Sequence, residues 1–221
     1  MFKPCIIIPV YNHGKLLQGC ITKILSHNIA LIIIDDGSNL ETQKILQKIS
    51  ANNSQIILHH LKENQGKGTA MLCGFELANI QGFTHALQID ADNQHLFDDI
   101  PLFLGLAKSN PQTVINGLPI YDNSVPKSRL YGRKITNFWV AIETLSGDVK
   151  DAMCGFRVYP LKSVMEIIQK QSLSKRMGFD IEIIVRLYWS GLAIINQPTE
   201  VKYPADGISH FRMFKDNLEI S

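Results

Sequence analysis

The chain has 221 residues, 45% of them hydrophobic and 19% charged, with a formal charge of +2. That length fills one large domain or two small ones, and the composition supports a sizeable core. A charge so near neutral argues against a nucleic-acid surface, and no apolar stretch approaches the roughly 18 residues of a membrane span.

The first hundred residues alternate between two patterns. Continuous apolar runs at "CIIIPV" (5–10), "IALIIID" (29–35), "QIILHH" (55–60) and "THALQID" (84–90) read as strands buried on both faces of a parallel sheet. The first run breaks at Pro9, unlike a signal peptide, so a soluble, cytoplasmic chain is expected. Between the runs lie helical patterns at 39–50, 66–79 and 98–108. In 39–50, Ile45, Leu46 and Ile49 form a stripe, and Ser38 with Glu41 has the spacing of a capping box. "TVING" (113–117) reads as a fifth strand. Such alternation implies βαβ units and an open, mostly parallel α/β sheet.

The second half is less regular, with helical patterns at 130–145, 161–170 and 179–190 and strands at 155–159 and 192–197. No linker or repeat interrupts the chain, so one domain over 1–221 is expected. Cys5, Cys20, Cys73 and Cys154 have no C-x-x-C spacing and sit among apolar residues, as buried reduced thiols do. Lys and Arg thicken at 127–134 and 175–176, which fits either a solvated loop or an anion contact. The stretch 120–134 has the composition of a mobile loop that closes over substrate. Phe211, Phe214 and Leu218 share one face of the tail, which fits packing or a peripheral membrane contact.

Open α/β sheets bind ligands beyond the carboxyl ends of their strands. Those ends carry Pro9, Tyr11 and Asn12, then Asp36, then "KENQGKGTA", then Asp90 and Asp92. Tyr11 offers a ring face to a base, and Asp36 an acceptor for a base N–H or ribose hydroxyl. In "NQGKGTA", Lys67 and the free N–H groups of a helix start suit a phosphate; a helix-surface lysine is the alternative. The D-x-D-N spacing at 90–93 fits a Mg²⁺ or Mn²⁺ pair and, equally, an Asx-type turn. At 179–190, Asp180 falls on the apolar side of its helix, whereas Glu182 falls outside and pairs with Arg186 at i, i+4. Asp180 is therefore either a first-turn helix charge or a base aimed inward. Arg157 meets a substrate anion or, buried, pairs with Asp151.

Taken in order, "IIIPVYN", "IIIDDGS", "NQGKGTA", "DADNQH" and "CGFRVY" resemble the family 2 glycosyltransferases of the GT-A fold, over about residues 3–210. Asp90 to His95 and Cys154 to Tyr159 are most similar to the dolichyl-phosphate mannosyltransferase-like branch. The resemblance implies a donor half over about 1–117, an acceptor half over about 118–210 and a C-terminal tail over 211–221. It implies that Pro9, Tyr11, Asn12 and Asp36 hold the nucleoside. It further implies that Asp90, Asp92 and Gln94 bind a divalent ion on the donor diphosphate. Two departures stand out. Where the branch has R-x-x-G-x-S-K, "PADGISH" has Pro204 and His210, leaving His210 as a phosphate donor. Phe179 replaces the Glu of the catalytic Glu-Asp found with hydroxyl acceptors, while Asp180 keeps the Asp; Phe179 and Glu182 also fit the Phe-x-x-Glu of the lipid-phosphate branch.

The expectation is an inverting, metal-dependent glycosyltransferase with Asp180 as base and Arg157 at the substrate. It would move one sugar from a nucleotide diphosphate-sugar to a hydroxyl-bearing lipid-linked or glycan acceptor, at the inner face of a membrane. A polyprenyl-phosphate acceptor, nucleotidyl transfer and a nucleotide-binding module without catalysis are the alternatives.

Overall fold

The computed structural model describes residues 1–121, 125 and 127–201. The expectations placed on Pro204, His210 and the 211–221 tail lie outside the described residues. Strand β1 (Pro4–Val10) leads to helix α1 (Gly14–Leu25), β2 (Ala30–Asp35) to α2 (Leu40–Ala51), and β3 (Ile56–His60) to α3 (Lys67–Ile80). Next come β4 (His85–Gln88), a 3-10 turn at Phe97–Asp99, α4 (Ile100–Ser109) and β5 (Thr113–Tyr121). The described chain ends with α5 (Lys127–Thr144), β6 (Arg157–Pro160), α6 (Leu161–Lys170), α7 (Phe179–Trp189) and β7 (Ala193–Val201).

The strands form one sheet in the order β3-β2-β1-β4-β6-β5-β7. All pairings are parallel except those of β6, which runs against both β4 and β5. The unbroken apolar runs follow from burial on two faces. Along β1, Ile6, Ile8 and Val10 pack with α1, α2 and α4, while Cys5 and Ile7 pack with α3, α6 and α7. All four cysteines are free thiols, and burial pushes those of Cys5 and Cys154 up to about 12, which leaves them unreactive.

Several expected boundaries shift for local reasons. Asn39, not Ser38, caps α2, and its side chain accepts from Thr42 N at 2.9 Å. Ser38 instead accepts from Asn12 N at 2.9 Å, and Glu41 pairs with Lys15. Helix α1 carries weaker signals than its neighbours: two glycines and no side-chain cap surround its buried stripe of Leu17, Cys20, Ile21 and Ile24. The stretch expected as a mobile loop, 120–134, becomes helix from Lys127 onward. Its Arg133 makes a two-pronged ion pair with Asp151, through Nε at 2.5 Å and Nη2 at 3.1 Å.

Two turn positions fix the sheet edge. Asn12 has φ 59°, which asparagine tolerates, and its Oδ1 accepts from Asn39 N at 2.8 Å. Gly37 has φ 65°, and a Cβ there would overlap the backbone of Glu63 and Asn64. Replacing the α2 cap, Asn39→Ala, is expected to lower stability by about 1 kcal/mol in urea unfolding, with the slope unchanged.

Candidate active site

The carboxyl ends of β1 and β2 bring Pro9, Tyr11, Asn12, Asp35 and Asp36 to one edge. Pro9 is half-buried and Tyr11 is exposed on that edge. The two aspartates differ from what their exposure to a nucleoside would require. Asp35 is fully buried, accepting from Ser38 N at 3.1 Å and facing His60 Nδ1 at 2.8 Å. Asp36 is also buried, and its carboxylate accepts from Gln65 N at 2.7 Å, Gly66 N at 2.9 Å and Asn64 Nδ2 at 2.9 Å. Burial raises the Asp36 pKa above the ordinary carboxylate value, against the pull of the Gln65 and Gly66 amides. Asp36 thus fastens the 64–66 loop to the end of β2.

That loop starts α3 in an unexpected way. The helix start is covered by the 174–176 segment: Thr69 N donates to Lys175 O at 3.1 Å, and a Cβ on Gly68 would overlap Ser174 O. Glu182, half-buried rather than solvated, secures the segment by accepting from Ser174 N at 2.6 Å while pairing with Arg186. The cradle of free N–H groups expected at this helix start is closed by that cover.

Lys67 points instead at two carboxylates. Its ammonium lies 2.7 Å from Asp90 Oδ1 and 2.6 Å from Asp180 Oδ2. Burial pulls its pKa down, but the charges of Asp180 and Asp90 outweigh burial and the net shift is upward, so Lys67 stays charged. Asp180, in the first turn of α7, is only 4% exposed, in keeping with its inward orientation. Its other oxygen, Oδ1, accepts from Gln88 Nε2 at 2.8 Å.

Behind Asp180 runs a chain of fully buried polar side chains. Tyr159 donates to Gln88 Oε1 at 3.0 Å, and burial pushes its hydroxyl up to about 12, so it remains a donor. Arg157 donates from Nη1 to Tyr159 Oη at 3.3 Å and to Asp180 O at 2.8 Å. It also donates from Nη2 to Ala152 O at 3.1 Å and from Nε to Asn116 Oδ1 at 2.7 Å. At 0% exposure Arg157 cannot meet a substrate anion, and its partner is not Asp151, which Arg133 takes. It supports the first turn of α7 from below. Gln88 and Asn116 carry a further sequence signal, as amides set in mostly apolar runs.

Asp90 lies just past β4, at the start of the turn that separates it from Asp92, and a Cβ on Gly155 would overlap its carboxylate. Asp92 Oδ1 accepts from Gln94 N at 3.1 Å, an Asx turn with Asn93 at φ 58°. The side chain of Gln94 makes no hydrogen bond to either aspartate, and lines a depression with Lys23 and Glu200. His95 Nδ1 is buried with no hydrogen-bond partner, and its ring stacks on Phe156. Among the described residues no three His, Cys, Asp or Glu side chains converge as a closed metal cage. Two carboxylates on a turn do fit Mg²⁺ or Mn²⁺, which take few protein ligands and fill the rest with water and phosphate oxygens.

The sheet order, with carboxylates gathered at its carboxyl edge, is that of a GT-A glycosyltransferase. Residues 5–168 match the family described as glycosyl transferase family 2, and the chain belongs to it. Its relatives include a UDP-N-acetylglucosamine–dolichyl-phosphate N-acetylglucosaminyltransferase of Methanococcus voltae, 28% identical over 90% of this chain and 85% of that protein. Another is a polyprenol monophosphomannose synthase of Mycolicibacterium smegmatis, 24% identical over 87% of this chain and 75% of that protein. The same fold occurs in glucosyl-3-phosphoglycerate synthase of Mycobacterium tuberculosis, solved with Mn²⁺ and UDP-glucose. That structure has a TM-score of 0.70 and 16% identity, over 99% of this chain and 74% of the other. The protein is a glycosyltransferase.

Removing the shared cation is expected to be costly, because it leaves two neighbouring carboxylates without their charge. Lys67→Met should lower stability by about 3 kcal/mol, and adding Asp180→Asn should recover part of it in a double-mutant cycle read by denaturant unfolding.

Proposed function

We propose that this protein transfers one sugar from a nucleoside diphosphate sugar to a polyprenyl phosphate. The observation that carries the reading is that both oxygens of Asp180 are already engaged, by Lys67 and Gln88, in a position that is 4% exposed. A hydroxyl acceptor needs a general base within its reach, which a buried carboxylate held by two donors does not offer, whereas a phosphate is anionic near neutral pH and needs none. The reading is supported by relatives named for dolichyl phosphate and polyprenol. It prefers the phosphate acceptor to the hydroxyl-bearing one expected from the position of Asp180.

A phosphate oxygen attacks the anomeric carbon, the carbon–oxygen bond to the donor diphosphate breaks, and nucleoside diphosphate leaves. A single attack from the opposite face inverts the anomeric centre. Pro9, Tyr11 and Asn12 border the nucleoside, with residues 1–117 serving the donor and 118–210 the acceptor. Asp90 and Asp92 would hold Mg²⁺ or Mn²⁺, whose charge stabilises the departing diphosphate. Charge supports this. Asp90 and Asp180 share a single ammonium, Lys67, and Asp92 follows two residues after Asp90, so the turn carries surplus negative charge that a divalent ion offsets.

The test is a transfer assay with a panel of nucleotide sugars, Mn²⁺, and either polyprenyl phosphate or polyprenol. An acid-labile glycolipid from the phosphate alone is expected; transfer to polyprenol or to an oligosaccharide would overturn the reading. In calorimetry, Asp92→Ala should abolish the Mn²⁺-dependent part of nucleoside diphosphate binding.

A further inference from the structure

Helix α5 has two faces, and among the described residues only one packs against the rest of the fold. Its inner face packs Val140 against Ile181, Ile184 and Val185, and fixes the 151–152 segment through Arg133 on Asp151 and Asn137 Oδ1 on Ala152 N. That same segment receives Arg157, so α5 is braced against the support of Asp180. The outer face is apolar and open. Tyr131, Ile135, Phe138, Trp139 and Ile142 recur at helical spacing, with Phe138 62% and Trp139 58% exposed. Trp189, at the end of α7, continues the patch and donates Nε1 to Glu143 O at 3.2 Å. Scattered exposed apolar residues are ordinary, but a continuous aromatic-rich stripe on one helix marks a contact surface.

We propose that the outer face of α5 lies in the headgroup–acyl boundary of an anionic bilayer. Two observations favour a lipid surface over a protein. The stripe combines aliphatic residues with tyrosine and tryptophan, whose rings carry one polar atom and suit the membrane–water boundary. The helix sequence has four basic residues against one acid, Glu143; Arg133 is taken by Asp151 on the inner face, while exposed Lys134 flanks the stripe. A helix lying in the boundary would hold its inner face, and the segment supporting Asp180, about one helix diameter, roughly 10 Å, from the lipid. The proposal rests on this surface and not on the identity of the acceptor.

Trp139 and Trp189 are the only tryptophans in the chain, so intrinsic fluorescence reads this face directly. The protein is mixed, without donor or acceptor, with vesicles of phosphatidylcholine alone or with phosphatidylglycerol. The expected result is a blue shift and quenching by brominated lipid with the anionic vesicles. Phe138→Glu should weaken partitioning about tenfold or more, and Lys134→Glu should reduce the preference for anionic lipid. Leu102→Glu, an exposed apolar residue on α4, should leave partitioning unchanged. Circular dichroism confirms that each variant is folded. No shift with either vesicle, or unchanged partitioning of Phe138→Glu, would overturn the proposal. So would a dimer in sedimentation velocity that Phe138→Glu dissolves while vesicles go unbound. None of these outcomes depends on sugar transfer, so failure here and failure of the acceptor reading remain distinct.

Discussion

Two carboxylates from distant parts of the chain, Asp90 and Asp180, converge on one ammonium, Lys67. Bringing like charges together away from water is unfavourable unless a cation lies between them and their remaining lone pairs are satisfied. Much of the surrounding structure meets those two conditions. The 174–176 segment covers the start of α3 and sets where Lys67 begins. Gln88 satisfies the second oxygen of Asp180, and Tyr159 and Arg157 orient Gln88 and the α7 backbone in turn. Glycine at 155 gives the Asp90 carboxylate its room.

The sheet makes this convergence possible. Parallel β1 to β4 deliver their carboxyl ends to one edge, so Tyr11, Asp36 and Asp90 arrive there without special loops. Reversing β6 between β4 and β5 places Arg157 beside both Gln88 and Asn116, which the register pairs directly. A parallel strand in that position would carry the 151–155 segment to the opposite edge. The antiparallel strand therefore brings Gly155 against Asp90 and leaves Asp151 to receive Arg133 of α5.

Much of this was legible in the sequence, and the reasons for the rest are physical. The apolar runs mark β1 to β4 because burial on two faces leaves few polar residues inside them. The inward orientation of Asp180 follows from helical periodicity. Lys67, Asp36 and Arg157 were recognised as chemical residues, but their partners are long-range: Lys67 and Asp180 are separated by 113 residues and Arg157 and Asn116 by 41. Local pattern cannot reveal such pairs, so the partners that hold these side chains in the fold are not legible in the sequence. Asn39 rather than Ser38 caps α2 because the Ser38 hydroxyl accepts from the backbone of Asn12, in the turn after β1. The amides of Gln88 and Asn116 stand out in mostly apolar runs, and a buried polar group generally requires a partner.

The central claim is that Asp180 is a pinned anion that shapes the site and does not move a proton. Comparing kcat of Asp180→Asn with that of the wild type, using polyprenyl phosphate as acceptor, tests it most directly. The account predicts a less stable enzyme whose kcat stays within about tenfold and whose pH profile keeps its shape. A loss of roughly 10²- to 10⁴-fold, with the basic limb of the profile removed, is the signature of a missing general base and would contradict it.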